Sequence, residues 1–184
     1  MLLEPDASGS YSSRMISTRT MTSPPTNLQI LKPSRRRLMP GDIFVFRAAG
    51  HPYHFGRVIE PRTDLLGMPA TLIYLYRAAS EDPTVVPALH CNELLVPPLF
   101  TNRLPWSRGY FVTVRNAPLT RWDTLQSHVF RDSATTFVDE YGRPTPDPKR
   151  PVEQYALHSF RTIDDVVSSA LSIPLIPEEP KRRG

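Results

Sequence analysis

The chain carries few side chains of the kinds that do chemistry, and their spacing limits what they can do. It has five histidines and one cysteine. His51 and His54 stand three apart at the Ala49–Pro52 turn. A tetrahedral metal site there would need further nitrogen, sulfur or carboxylate ligands brought in from elsewhere. His90 and Cys91 are adjacent and cannot easily share one ion, and no two-plus-two ligand pattern occurs, so no metal is expected. Cys91 with His51, His54, His128 or His158 would make a thiolate nucleophile only if the fold joined them; alone it reads as a small buried thiol. There is no GxSxG, P-loop or dinucleotide fingerprint. Asp139 and Glu140, adjacent on a strand, would point to opposite faces, and Asp164-Asp165 suit the start of a helix. No catalytic residue and no cofactor is therefore assigned. The one mixed acid–base set is Asp42, His54, Arg57 and Glu60 on the first hairpin, which would serve a ribonuclease-like or other hydrolase if the four converged.

Recognition fits the residue types better. Pro97 to Phe111, "PPLFTNRLPWSRGYF", sets Leu99, Phe100, Trp106, Arg108 and Tyr110 among prolines. Trp, Tyr and Arg carry most of the binding energy at interfaces, and proline limits the entropy lost on docking. The expected contact residues are Trp106, Arg108 and Tyr110, with Arg57, Glu60, Asp139 and Glu140 beside them. The alternative for Trp106 and Phe100 is that they plug the floor of a barrel.

These residues need elements to hold them. Ile43 to Arg47 is apolar on both faces and predicts a buried strand, returning antiparallel from His54 to Ile59 after a turn. Gly56 inside the return strand predicts a bulge or a close backbone approach. Residues 60–69 read as a loop and Ala70 to Tyr76 as the clearest strand. The proline-rich middle reads as irregular, with a helical turn at 88–94. Further strands are expected at 110–115, 128–131, 136–139 and 155–160, and a second helical turn at 119–125. A helix starts at Thr162, with Ile163, Val166, Val167, Ala170 and Leu171 on one face, and Pro174 ends it. The fold class is α+β, mainly β: a curled antiparallel sheet or SH3-like small barrel with one C-terminal helix.

Composition sets the outer limits. A chain of 184 residues can bury a core without a disulfide or metal staple. Its 21 prolines disfavour long helices. Residues 1–37 hold six basic and two acidic side chains and few large apolar groups, and read as a disordered, Ser/Pro/Arg-rich tail. Ser8 to Arg37 lacks acids, as transit peptides do, but Glu4 and Asp6 break that pattern; Met15 and Met21 offer later starts. Residues 38–173, the single expected domain, hold thirteen basic and fourteen acidic side chains, and residues 174–184 form a loose tail. The body thus presents no strong net field for polyanions. A nucleic-acid-binding role would rest on the Arg35 to Arg37 run. No stretch approaches the ~20 apolar residues of a membrane span, and no secretory signal is evident. The lone cysteine fits a reducing, cytoplasmic setting.

The order "PGDIFVF…YHFGRVI" (Pro40 to Ile59), "LIYLY" (Leu72 to Tyr76), "LLVPPLFTNRLPWSRGYFVTV" (Leu94 to Val114) and "FVDEYGRPT" (Phe137 to Thr145) resembles the immunity protein 26 family of bacterial polymorphic toxin systems. The matching positions are Gly41, Asp42, Gly56, Arg57, Trp106, Gly109, Tyr110 and Phe111. The resemblance implies a cytoplasmic antitoxin that needs no cofactor. It would bind and block a cognate toxin C-terminal domain, in these systems often a nuclease.

Overall fold

The computed structural model describes residues 25–177. Its spine is two long, bent strands. β1 (Asp42–Arg47) turns back into β2 (Tyr53–Leu65), and β2 turns at Leu66-Gly67 into β3 (Met68–Ser80). Residues 60–69, expected as a loop, instead continue both strands. Pro61, a loop signal in sequence, falls in the register break between Glu60 and Thr63, where no ladder donor is needed. β4 (Leu94–Thr101) pairs antiparallel with β3 and corrects the expectation of an irregular middle. Its Pro97 and Pro98 lie where the register shifts between the Leu75–Val96 and Ile73–Leu99 pairs.

A short helix, α1 (Leu104–Arg108), follows, then β5 (Val112–Asn116) on the outer side of β1. Short pieces β6 (Phe130–Arg131), β7 (Phe137–Val138) and β8 (Pro144–Thr145) form a second sheet. β9 (Leu157–His158) pairs parallel with β4. The main sheet runs β5-β1-β2-β3-β4-β9, so it is open and mixed: a curled sheet, mainly β within an α+β chain, and not a barrel. Neither expected helical turn, at 88–94 or 119–125, forms a helix. α2 (Phe160–Ala170) is the C-terminal helix. Its N-cap is Ser159, whose hydroxyl accepts from the Thr162 N–H at 3.1 Å, so Thr162 lies inside the helix. Among the described residues no helix is long and apolar enough to cross a membrane.

Both faces of the sheet are covered, which is why its strands are apolar without alternation. On one face Phe44, Phe46, Val58, Ile73 and Leu75 pack with Trp106, Tyr110, Phe111 and the α2 residues Ile163 and Val167. Phe44 lies between Trp106, edge-on at 5.0 Å, and Phe111, stacked at 4.5 Å. Gly56 is opposite; a Cβ there would lie 2.2 Å from the Phe44 ring, so the strand needs glycine at that point. On the other face Leu72, Tyr74, Tyr76 and Phe100 meet Phe130, Val138 and Tyr155 of the second sheet and its flanks. Ile43, Val45 and Phe55 extend that layer toward Ala117.

The residues before Leu38, read from composition as part of a tail, include packed ones. Leu28 is 3% exposed and bridges to Ala48. Its N–H donates to Asp164 Oδ1 at 2.6 Å, and the Asn27 N–H donates to Asp164 Oδ2 at 3.2 Å. Leu31 and Lys32 donate to the carbonyl of Gly109, whose φ of +90° ends α1. Arg36 clasps the fully buried Asp42 through both guanidinium nitrogens, at 3.0 and 3.1 Å. Expectations for residues 1–24 and 178–184 lie outside the described residues.

Candidate interaction surface

The four hairpin groups that might have formed an acid–base site do not converge. Asp42 is buried and accepts hydrogen bonds from Arg36, Asn116 and the Met39 N–H. His54 stacks on Phe46 at 5.7 Å, on the α2 side of the sheet. Arg57, three residues on, points to the other side, and Glu60 is exposed near the hairpin tip. Among the described residues no three His, Cys, Asp or Glu side chains cluster to hold a metal.

The expected contact residues have mixed fates. Trp106 and Tyr110 are each 1% exposed and belong to the core. The sequence could not separate the barrel-plug reading of Trp106 from the contact reading, and packing decides for the first. Arg108 is exposed and lies over the Phe160 ring at 5.7 Å, beside the stacked Tyr110 and Phe160. Asp139 caps the β7–β8 turn, accepting from the Tyr141 and Arg143 N–H groups at 2.9 Å each. Glu140 faces inward, with Oε1 3.2 Å from His128 Nδ1. Burial pushes the Tyr74 phenol well above its ordinary range, so it stays protonated and can donate to His128 Nε2 at 2.5 Å. The Tyr74–His128 hydrogen bond ties the segment before β6 to the main sheet.

Arg57, expected among the contact residues, is turned inward. It is 4% exposed and reaches into the 117–126 loop: Nη1 donates to Asp123 Oδ1 at 2.5 Å and Nη2 to the Ala117 carbonyl at 2.9 Å. The second Asp123 oxygen accepts from the Thr120 N–H at 2.8 Å and the Thr120 hydroxyl at 2.7 Å. Partial burial would raise the Asp123 pKa, but the Thr120 hydrogen bonds and the Arg57 guanidinium outweigh it and hold the carboxyl below its ordinary range. Further along, the Leu125 N–H donates to Tyr74 Oη at 3.0 Å, and the Cys91 thiol donates to the Trp122 carbonyl at 3.4 Å.

The loop is thus held from beneath along its length, and one large side chain leaves it. Trp122 is 73% exposed, the most exposed of the large apolar residues described. The Arg121 guanidinium lies over its ring at 4.3 Å. Single exposed apolar residues are ordinary. A tryptophan on a fixed turn with a stacked arginine is a pre-organised pair of the two residue types that dominate interface hot spots. Sequence reading missed it because its rigidity comes from Arg57, 66 positions away from Asp123.

Two adjoining grooves share Cys91 and Leu125, and Trp122 lines one of them. One, of about 530 Å³, is lined by Arg121, Trp122, Thr124 and Gln126 as well. The other, of about 470 Å³, runs beside Leu94 to Pro98 toward Arg77, Val129 and Arg150 to Val152. A separate cleft at the hairpin tip gathers Glu60, Arg62, Asp64, Leu66, Tyr141 and Tyr155. Burial raises the Tyr155 phenol pKa, and the carboxylates of Asp139, Asp64 and Asp132 raise it further.

A model of the Immunity protein 26 family matches residues 39–136, a span that includes β1 to β6, α1 and the Trp122 loop. No curated protein and no solved structure matches. The match covers more than half of the 184 residues, and the chain therefore belongs to the immunity protein 26 family.

Proposed function

We propose that this chain is an immunity protein that binds the cognate toxin domain of a polymorphic toxin system in the cytoplasm and neutralises it stoichiometrically, without turnover. The observation that carries the contact surface is Trp122: exposed, stacked by Arg121, and seated on a turn that a buried ion pair fixes. A surface already in its bound shape loses little entropy on docking, so a few such side chains can sustain a tight complex. The separation of Asp42, His54, Arg57 and Glu60 favours occupancy over catalysis as the mode of action. Arg57 is a positioning residue in this reading, and Glu60, Asp139 and Glu140 lie at the other end of the covered face.

Calorimetric titration with the cognate toxin domain tests the assignment. Trp122→Ala is expected to weaken binding by at least about 2 kcal/mol, roughly thirtyfold, with the circular dichroism spectrum and Tm unchanged. Arg108→Ala, on the α1–α2 face, is expected to bind as the parent does. The reverse pattern would move the interface to that face.

A further inference from the structure

Resting on the immunity reading, we infer that the toxin segment seated in the grooves beside Trp122 is acidic. The two grooves contain Arg77, Arg121 and Arg150, and neither has an Asp or Glu in its lining. None of the three guanidiniums has an ion-pair partner among the described residues. Of the nearby carboxylates, Asp123 is committed to Arg57 and Glu140 lies toward His128, while the exposed Glu93 stands outside the groove lining. Glu93, whose carbonyl accepts the Arg77 N–H at 3.0 Å, forms no ion pair with that side chain.

At the hairpin-tip cleft, by contrast, Glu60 and Asp64 are accompanied by Arg62. The near-neutral body charge therefore conceals a local group of three arginines in the grooves at the exposed tryptophan. Guanidiniums without partners at an interface recognise carboxylates, often through two parallel hydrogen bonds. The remaining lining, including Leu94, Val96, Val129 and Val152, is apolar. That mixture fits a protein segment with alternating acidic and apolar side chains better than a phosphate backbone, which would call for a longer cationic track.

Charges at an interface rim act mainly on association rate and its salt dependence. The test measures binding kinetics of the full chain with its toxin domain from about 0.05 to 0.3 M NaCl, spanning roughly a 2.5-fold change in Debye length. The triple variant Arg77→Glu, Arg121→Glu, Arg150→Glu keeps Trp122 and changes only exposed side chains. Its association rate at low salt is expected to fall at least about tenfold, and the decline of rate with salt seen in the parent to vanish or reverse. The Arg→Gln triple variant should fall between the two. Unchanged rate and salt dependence in the Glu variant, with parent binding intact, would overturn the acidic-segment inference and leave the immunity reading standing. Faster association would assign a basic partner and overturn it too. Failure of the parent chain to bind the toxin domain would remove both. Titration with a short single-stranded RNA is expected to show no binding that depends on these arginines; arginine-dependent RNA binding would assign the grooves to nucleic acid and overturn the inference.

Discussion

The two tryptophans show what residue type reveals and what only packing can. Trp106 stands in a segment dense with Pro, Arg and Tyr, and the sequence leaves it between contact and core plug; its ring closes the core against Phe44 and Phe111. Trp122 stands among small and polar neighbours, and nothing local distinguishes it, yet it is the one displayed. His54 makes a similar point with a measurable consequence. Burial is the main cause that lowers its pKa, opposed by a hydrogen bond to the Tyr76 backbone and reinforced by nearby His51. The unfolded chain takes up a proton at this residue near pH 6.5, whereas the folded chain resists doing so until lower pH. The stability from this residue is full above about pH 6.5 and is lost as pH falls through the lower folded value. Urea midpoints should therefore drop between about pH 7 and 5, and the slope should be smaller in His54→Gln. An unchanged slope would mean that His54 is not held neutral.

At the scale of elements, the strands that pack on both faces were readable from continuous apolar runs: β1, β3 and the first half of β2 follow from Ile43 to Phe46, Leu72 to Tyr76 and Phe55 to Ile59. β4 was hidden because Pro97 and Pro98 argue locally against a strand, while the register shift that admits them is a property of the pair. The 117–126 loop was hidden for a related reason: the local Thr120–Asp123 turn is anchored to the fold by the Arg57–Asp123 contact, which joins residues 66 positions apart. Asp123→Ala removes that contact and leaves the Arg57 guanidinium buried without its charge partner. The expected loss is about 3 kcal/mol of stability by urea unfolding, with weaker toxin binding because Trp122 loses its platform. A loss below about 1 kcal/mol would show that the loop is held by other means.

For the whole molecule, the α+β class and the C-terminal helix were readable from periodicity and turn residues; the choice between a curled sheet and a small barrel was left open, and the sheet is open and mixed. The packed segment before Leu38 was not, because Asn27 and Leu28 are held by Asp164, which is 136 residues from Leu28 in sequence. Charge is likewise a property of the whole: the near-balance of residues 38–173 conceals a local group of arginines, Arg77, Arg121 and Arg150, in grooves without a lining carboxylate. Family membership implies a toxin partner, and the proposed contact surface places it at the Trp122 loop. Amide hydrogen exchange of the chain, free and bound to its cognate toxin domain, tests that placement most directly. The account predicts new protection in residues 118–126 and along 90–98, with α1 and α2 unchanged. Protection confined to 104–108 and 160–170, or none in the presence of saturating toxin, would contradict it.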